Sequence, residues 1–286
     1  MSAIEAPAGL RTAVLMTHAL PETEGLRAAV RLAQAGSCEL YATPEEAAKH
    51  GDAADGLEVV DELPPAPDLC LVLGGDGTIL RALRHFAGTP VPVFAVNFGR
   101  IGFLAAVGRD EIESGLERAF GGDFETVSLP GLEIDGESSP ALNDITFSRP
   151  PQGAVAELAY RLGGVEIGHV RCDGLVAATP AGSTGYNLAN AGPILAWGVE
   201  GFAVSFIAPH TLTARALVVA PDDVLQVRNA GQRDPVEVAF DGRHERELAV
   251  GDELEVRFRD GVSRLAQLSG ANFYTRLREK FGQLAG

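Results

Sequence analysis

Basic residues are scarce in this 286-residue chain: 23 Lys and Arg stand against 39 Asp and Glu, a formal charge of −16. That surplus opposes non-specific binding to nucleic acid or to an anionic membrane, and neither is expected as a partner. It does not exclude one anionic ligand held by local arginines. Cysteine is rare. Cys38, Cys70 and Cys172 are odd in number and widely spaced, which excludes a disulfide framework and argues against a Cys-rich metal centre. No apolar run comes near the roughly 18–20 residues that cross a bilayer. The opening Met1-Ser-Ala-Ile-Glu-Ala-Pro7 lacks the basic and apolar stretches of a secretory signal, so the expected location is cytoplasmic. The six histidines form no metal-ligand spacing, and His210 is read as structural. Plentiful by contrast are apolar residues (46%) and glycine (34). They suit a sizeable core in one large domain or two modest ones.

Strand-like and helix-like segments alternate up to about residue 128. The apolar run 13–16 predicts a first strand, 24–34 a helix and 57–60 a short strand. Leu69-Cys-Leu-Val-Leu73 is apolar on both faces and predicts a buried strand. A helix is expected over 78–86, a strand over 91–96 and a helix over 110–120. Such alternation predicts an α/β domain with a mostly parallel sheet. Thereafter short strands separated by turn signals predict a β-rich, sandwich-like domain: 141–148, 157–162, 165–170, 174–178, 202–207, 224–227, 236–240 and 253–258. The tail 272–284 reads as a helix that returns to the first domain. The expected division is therefore 1–128 with 268–286, and 129–267.

Four segments carry chemistry. Gly74-Gly75-Asp76-Gly77-Thr78 links the buried strand to the next helix. Ligands of open α/β sheets bind at the carboxyl ends of strands. Glycines let the backbone approach a ligand closely, and the amides of a helix start favour phosphate. The sequence is neither a P-loop nor G-x-G-x-x-G. An aspartate inside a phosphate cradle repels its ligand, so Asp76 points to metal binding or to proton abstraction. Asn97-Phe-Gly-Arg-Ile-Gly-Phe103 is a second glycine-rich turn, in which Phe103 either stacks on a ligand ring or joins the core. Asn143-Asp144 interrupts an apolar strand. Adjacent strand residues face opposite ways, so one of the two needs a polar setting; Asn143 suits a sugar hydroxyl pair, and a strand-end turn is the alternative. Last, Asp173-Gly174 leads into Thr179-Pro-Ala-Gly-Ser-Thr-Gly-Tyr186-Asn187, a loop rich in amides and hydroxyls that suits a nucleotide. Ser183 lies in no G-x-S-x-G elbow and is not read as a nucleophile.

Together with Ala208-Pro-His-Thr-Leu212, Arg215 and Phe240-Asp-Gly242, these segments resemble the NAD kinase family, in that family's order, over residues 69–252. The resemblance implies phosphoryl transfer from ATP or polyphosphate, with a divalent cation (Mg²⁺ foremost), to the adenosine ribose 2′-hydroxyl of NAD. It implies Asp76 as general base, with Gly77 beside it. It places Asn143 and Asp144 at the NAD ribose. Asp173 (across a subunit contact), Ala181, Thr184, Gly185, Tyr186, Asn187, Leu188 and Ala189 would line the NAD site. Arg81 and Arg171 match basic positions near phosphates, and a homodimer or homotetramer is implied. Departures are Asp144 for the usual Glu, Gly185 for Ala, Ala189 for Ser and Arg243 for Gln; they bear on specificity more than on activity. The Gly-Gly-Asp-Gly-Thr core is shared with diacylglycerol and sphingosine kinases, so a lipid kinase is one rival. A noncatalytic dinucleotide sensor is the other.

Overall fold

The computed structural model describes residues 9–18, 23–98, 102–137, 139–270 and 273–282. The chain forms two compact units. One comprises residues up to Ser128 and from Ser263 onward, the other Leu129–Val262.

The first unit is α/β. Its strands are β1 (Thr12–Thr17), β2 (Glu39–Ala42), β3 (Glu58–Val59), β4 (Leu69–Leu73), β5 (Pro92–Asn97) and β6 (Val107–Gly108). Its first four helices are α1 (Thr23–Ala35), α2 (Pro44–Ala48), α3 (Asp76–His85) and α4 (Ile112–Phe120). The strands run β5-β4-β1-β2-β3, and every pairing along that path is parallel. All five residues of β4 are buried, as a strand flanked on both faces requires. Leu69, Leu71 and Leu73 join Leu26 and Ala29 of α1 and Leu116 of α4 in one core. The last of these elements needs its apolar residues three and four apart, and Leu116, Ala119 and Phe120 supply that stripe. Thr43 caps α2 by accepting the Glu46 N–H at 3.2 Å, with Pro44 following at the first helical position. The sequence reading missed β2, α2 and β6.

The second unit is a sandwich of antiparallel strands: β7 (Glu125–Ile134), β8 (Asp144–Ser148), β9 (Ala156–Leu162), β10 (Val165–Cys172), β11 (Gly174–Ala178), β12 (Phe202–Ile207), β13 (Leu217–Val219), β14 (Leu225–Asn229), β15 (Val236–Phe240), β16 (Arg243–Leu248) and β17 (Glu253–Gln267). One sheet runs β13-β12-β11-β8-β15-β16, and β10-β9-β14-β17 supplies the other layer. Ile145, Phe147, Leu175 and Phe202 of the first face Leu158, Tyr160, Leu225 and Val256 of the second in a continuous core. Two expectations change here. The strand expected over 141–148 begins only at Asp144, so Asn143 lies before the ladder and the two side chains are not an alternating strand pair. The strand expected over 253–258 continues to Gln267, with its last residues in the first unit, where Arg264 and Leu265 pair with β5 in parallel.

A short helix α5 (Tyr186–Ala189) follows the 179–185 loop, and α6 (Phe273–Phe281) ends the described chain. Among the described residues no helix is long and apolar enough to cross a membrane.

Candidate active site

In the α/β unit the loop after β4 turns into α3 with Gly75 as its N-cap and Asp76 as its first residue. The first-turn amides of a helix have no intrahelical partner, so this end is electropositive. Gly74 is needed for space: a Cβ there would sit 2.9 Å from Thr78 Oγ1. Asp76 is exposed, and its carboxylate rests on Gly102, where any Cβ would collide with it. The sequence motif thus ends in an accessible carboxylate, backed by a bare backbone from the second glycine-rich turn. Residues 99–101 of that turn lie outside the described residues.

Phe103, beside Gly102, is buried. Its ring centroid lies 6.0 Å from Phe273 and 5.9 Å from Phe281, with Lys280 Nζ 4.9 Å away over its face. Of the two readings of Phe103, the packing favours the core. Residues 103–105 are held by a buried pair that the sequence reading missed. Arg276 of α6 donates to the Phe103 carbonyl at 2.9 Å, and to the carbonyl of Ala105 and the side chain of Gln267. Gln267 in turn donates to the Leu104 carbonyl at 3.0 Å. Burial lowers the Arg276 guanidinium to about 10, partly countered by the nearby Asp76 carboxylate. No sequence motif marks Arg276; it is one of three basic residues on a short amphipathic helix.

Arg81, one turn and a half into α3, donates to the Thr17 carbonyl at 2.9 Å and lies 3.6 Å from the Glu46 carboxylate. Glu46 also accepts the Thr17 N–H at 2.7 Å and pairs with Lys49 at 3.0 Å. The guanidinium is therefore oriented by the carboxyl end of β1, with its side chain still 45% exposed.

In the β-rich unit the Asn143-Asp144 corner is clamped from two sides. Asp241, in the hairpin turn between β15 and β16, accepts the N–H groups of Leu142 (3.1 Å), Asn143 (2.6 Å) and Asp144 (3.1 Å). Thr179 takes the other polarity: its hydroxyl donates to the Leu142 carbonyl at 2.6 Å and its N–H to the Asn143 carbonyl at 2.9 Å. Gly182 packs against the Asn143 backbone, where a Cβ would collide. Asp144 is buried, and burial, reinforced by the Asp241 charge, pushes its carboxyl up to about 7. Asn143 is partly exposed.

The 179–189 loop divides its residues between scaffold and surface. Ser183 is fully buried; its hydroxyl donates to the Pro180 carbonyl at 2.7 Å and accepts the Leu195 N–H at 2.9 Å, which leaves no nucleophile to expose. Asn187 is equally buried, and its amide ties Ser183 and Pro193 carbonyls, both at 3.0 Å. It is a strut of the loop rather than an open side chain. Ala181 is buried, Thr184 and Leu188 are half-buried, and Gly185, Tyr186 and Ala189 are exposed. Asp173 accepts from Arg149 Nε at 2.7 Å, while exposed Arg171 pairs with Glu157 at 3.3 Å. Arg149 and Arg171, but not Asp173, line an open cavity of about 510 Å³ together with Glu157 and Arg233.

Two family models match in order: the ATP-NAD kinase N-terminal domain over residues 16–124 and the ATP-NAD kinase C-terminal domain over 142–266. The NAD kinase of Gemmatimonas aurantiaca is 36% identical over 238 residues, 80% of this chain and 82% of that protein. Among solved structures, a yeast NADH kinase complexed with NADH superposes with a TM-score of 0.79 at 24% identity, covering 96% of this chain and 88% of its own. An NAD kinase from Archaeoglobus fulgidus in complex with ATP gives 0.72 at 23% identity, covering 95% and 98%. These two likenesses speak for the fold, and the sequence matches favour neither the lipid-kinase nor the sensor reading. With both domain models matched and a relative more than one-third identical over four-fifths of its length, this chain belongs to the NAD kinase family and is an enzyme that phosphorylates NAD.

Proposed function

We propose that ATP, brought as its Mg²⁺ complex, donates the phosphoryl group and that Asp76 accepts the proton of the adenosine ribose 2′-hydroxyl. The hydroxyl oxygen attacks the γ-phosphorus, the bond from that phosphorus to the β–γ bridging oxygen breaks, and ADP and NADP leave. A ribose hydroxyl is a poor nucleophile at neutral pH, and an adjacent carboxylate removes its proton as the new P–O bond forms. The observation that carries this reading is the exposed Asp76 carboxylate at the first turn of α3, backed by Gly102. The same helix start directs unpaired amides, Gly77 among them, toward phosphate oxygens.

Asn143 and Asp144 would hold the NAD ribose. Asp173, Thr184, Gly185, Tyr186, Leu188 and Ala189 would line the NAD site, with Ala181 and Asn187 shaping the loop. Arg81 and Arg171 would face phosphates. Among the described residues no three Asp, Glu, His or Cys side chains gather as a cation cage. Mg²⁺ would enter with the triphosphate, since it keeps waters and needs few protein oxygens. Bound there, it would offset the charge on the transferring phosphoryl group. A homodimer or homotetramer, with Asp173 at a subunit contact, follows from the family resemblance. A cytoplasmic location is in keeping with the three free, buried cysteines, because a reducing compartment leaves thiols unpaired.

The test is NADP formation by the purified protein with NAD and Mg²⁺, given ATP or polyphosphate in separate reactions, with diacylglycerol vesicles as a rival acceptor. Turnover of NAD with ATP supports the reading. Turnover only with polyphosphate replaces the donor, and turnover only of lipid overturns it.

A further inference from the structure

We infer that Asp241 is a positioning residue for NAD: its carboxylate folds the Leu142–Asp144 backbone into the corner that presents Asn143 and Asp144. The inference rests on the reading that those two residues contact NAD. Leu142 and Asn143 precede β8, so their N–H groups fall outside its ladder. An unpaired backbone N–H in a buried setting is costly, and one carboxylate takes both, together with the Asp144 N–H. Asp241 and Gly242 have φ of 50° and 75°, the left-handed pair of a two-residue hairpin turn. An aspartate in such a turn ordinarily bonds its own loop. Here its side chain reaches a strand 97–99 residues away in sequence. The turn is tied back by its own Asp241 N–H to the Asp144 carbonyl at 2.9 Å. Thr179 absorbs the carbonyls on the opposite side of the corner. The backbone of the corner is thus engaged by Asp241 and Thr179, and the side-chain amide of Asn143 takes no part in the clamp.

Asp241 also faces Asp144 as a charge. Of the elements beside β8, β11 and the 179–184 segment carry no ionisable side chain. On β15, Glu237 pairs with Ser148, at the far end of β8. Asp241 is the ionisable neighbour whose charge acts on Asp144 among the described residues, and the upward push on that carboxyl, due first to burial, includes its field.

Steady-state kinetics of Asp241→Asn and Asp241→Glu test this, beside Asn143→Ala and Asp144→Asn. Asp241→Asn is expected to raise KM for NAD about tenfold, the scale of losing a charge-assisted bond, and to leave KM for ATP unchanged. The pH at which KM for NAD turns should move lower than in the parent, because the charge that raises Asp144 is gone. Asp241→Glu keeps the charge but is one methylene longer. It should raise KM for NAD while leaving that turning pH in place. A merely structural Asp241 would change the thermal midpoint and neither of these quantities. If Asn143→Ala and Asp144→Asn raise KM for NAD but neither Asp241 variant does, the inference is overturned. If Asn143→Ala and Asp144→Asn leave KM for NAD unchanged, the NAD reading of the corner fails and takes the inference with it. Should Asp241→Asn not fold, the Glu variant decides alone.

Discussion

Asp144 is buried at 7% exposure beside a second carboxylate, and both conditions favour its protonated form. A carboxyl held above its ordinary range binds its proton more tightly folded than unfolded. The stability that this proton contributes is present near pH 4 and is lost as the pH rises toward 7, the reverse of a salt-bridged aspartate. Asp144→Asn is therefore expected to gain on the parent by about 2–4 kcal/mol between about pH 4 and about pH 7. Urea midpoints at the two pH values check this, and an unchanged difference between parent and variant would contradict it. Gly102→Ala probes the other carboxylate. Its methyl group would occupy the place of the Asp76 carboxylate, so kcat should fall at least about a hundredfold, as when a general base is displaced. The circular dichroism spectrum should remain that of the parent. Asp76 was legible in sequence because glycines surround it at a strand–helix junction. Asp241 was not, because an Asp-Gly pair reads as a turn whatever its side chain does, and the amides it serves are 97–99 residues away.

At the scale of elements, α6 is tied by one buried arginine to the segment that backs Asp76. Arg276→Met removes the donors that satisfy the carbonyls of Phe103 and Ala105 and the side chain of Gln267. It should cost about 2–3 kcal/mol of unfolding stability, measured by denaturant titration. A loss under half that would show that water replaces the guanidinium. The elements legible in sequence were those with an apolar signature: β4 and β11 are buried along their whole length, and α1 carries its stripe at Leu26, Ala29, Val30 and Ala33. The strand β16 was hidden because Arg243-His-Glu-Arg-Glu247 is exposed at a sheet edge, where no face needs apolar residues. Strand β7 runs through Pro130-Gly131, and β17 runs through Asp260-Gly261, with Gly261 at φ 67°, two pairs whose residue types ordinarily favour turns. Sheet topology overrode local turn chemistry in both. The Asn143-Asp144 segment failed differently: its strand, expected from residue 141, starts only at Asp144, because Asp241 and Thr179 claim the preceding backbone.

At the scale of the molecule, the three cysteines behave as small core residues. Burial pushes the Cys38 thiol up to about 11 and that of Cys172 up to about 12, and raises Cys70 further still. The native protein should thus react slowly with a thiol reagent, react at all three sites once unfolded, and keep its thermal midpoint when reductant is added. Fast labelling of the native form would contradict this. The excess of acidic residues places the burden of holding anionic substrates on local amides and arginines, not on net charge. The two-unit α/β and β-rich architecture was readable from the change in periodicity near residue 128, and the family from motifs spread over both units. The measurement that tests the central claim most directly is single-turnover NADP formation by Asp76→Asn beside the parent, with NAD binding measured on both by calorimetry. The expected result is NAD affinity within about threefold of the parent and a phosphoryl-transfer rate lower by about 10²–10⁴-fold. A variant that binds NAD and turns it over at the parent's rate would contradict the assignment of Asp76 as the base.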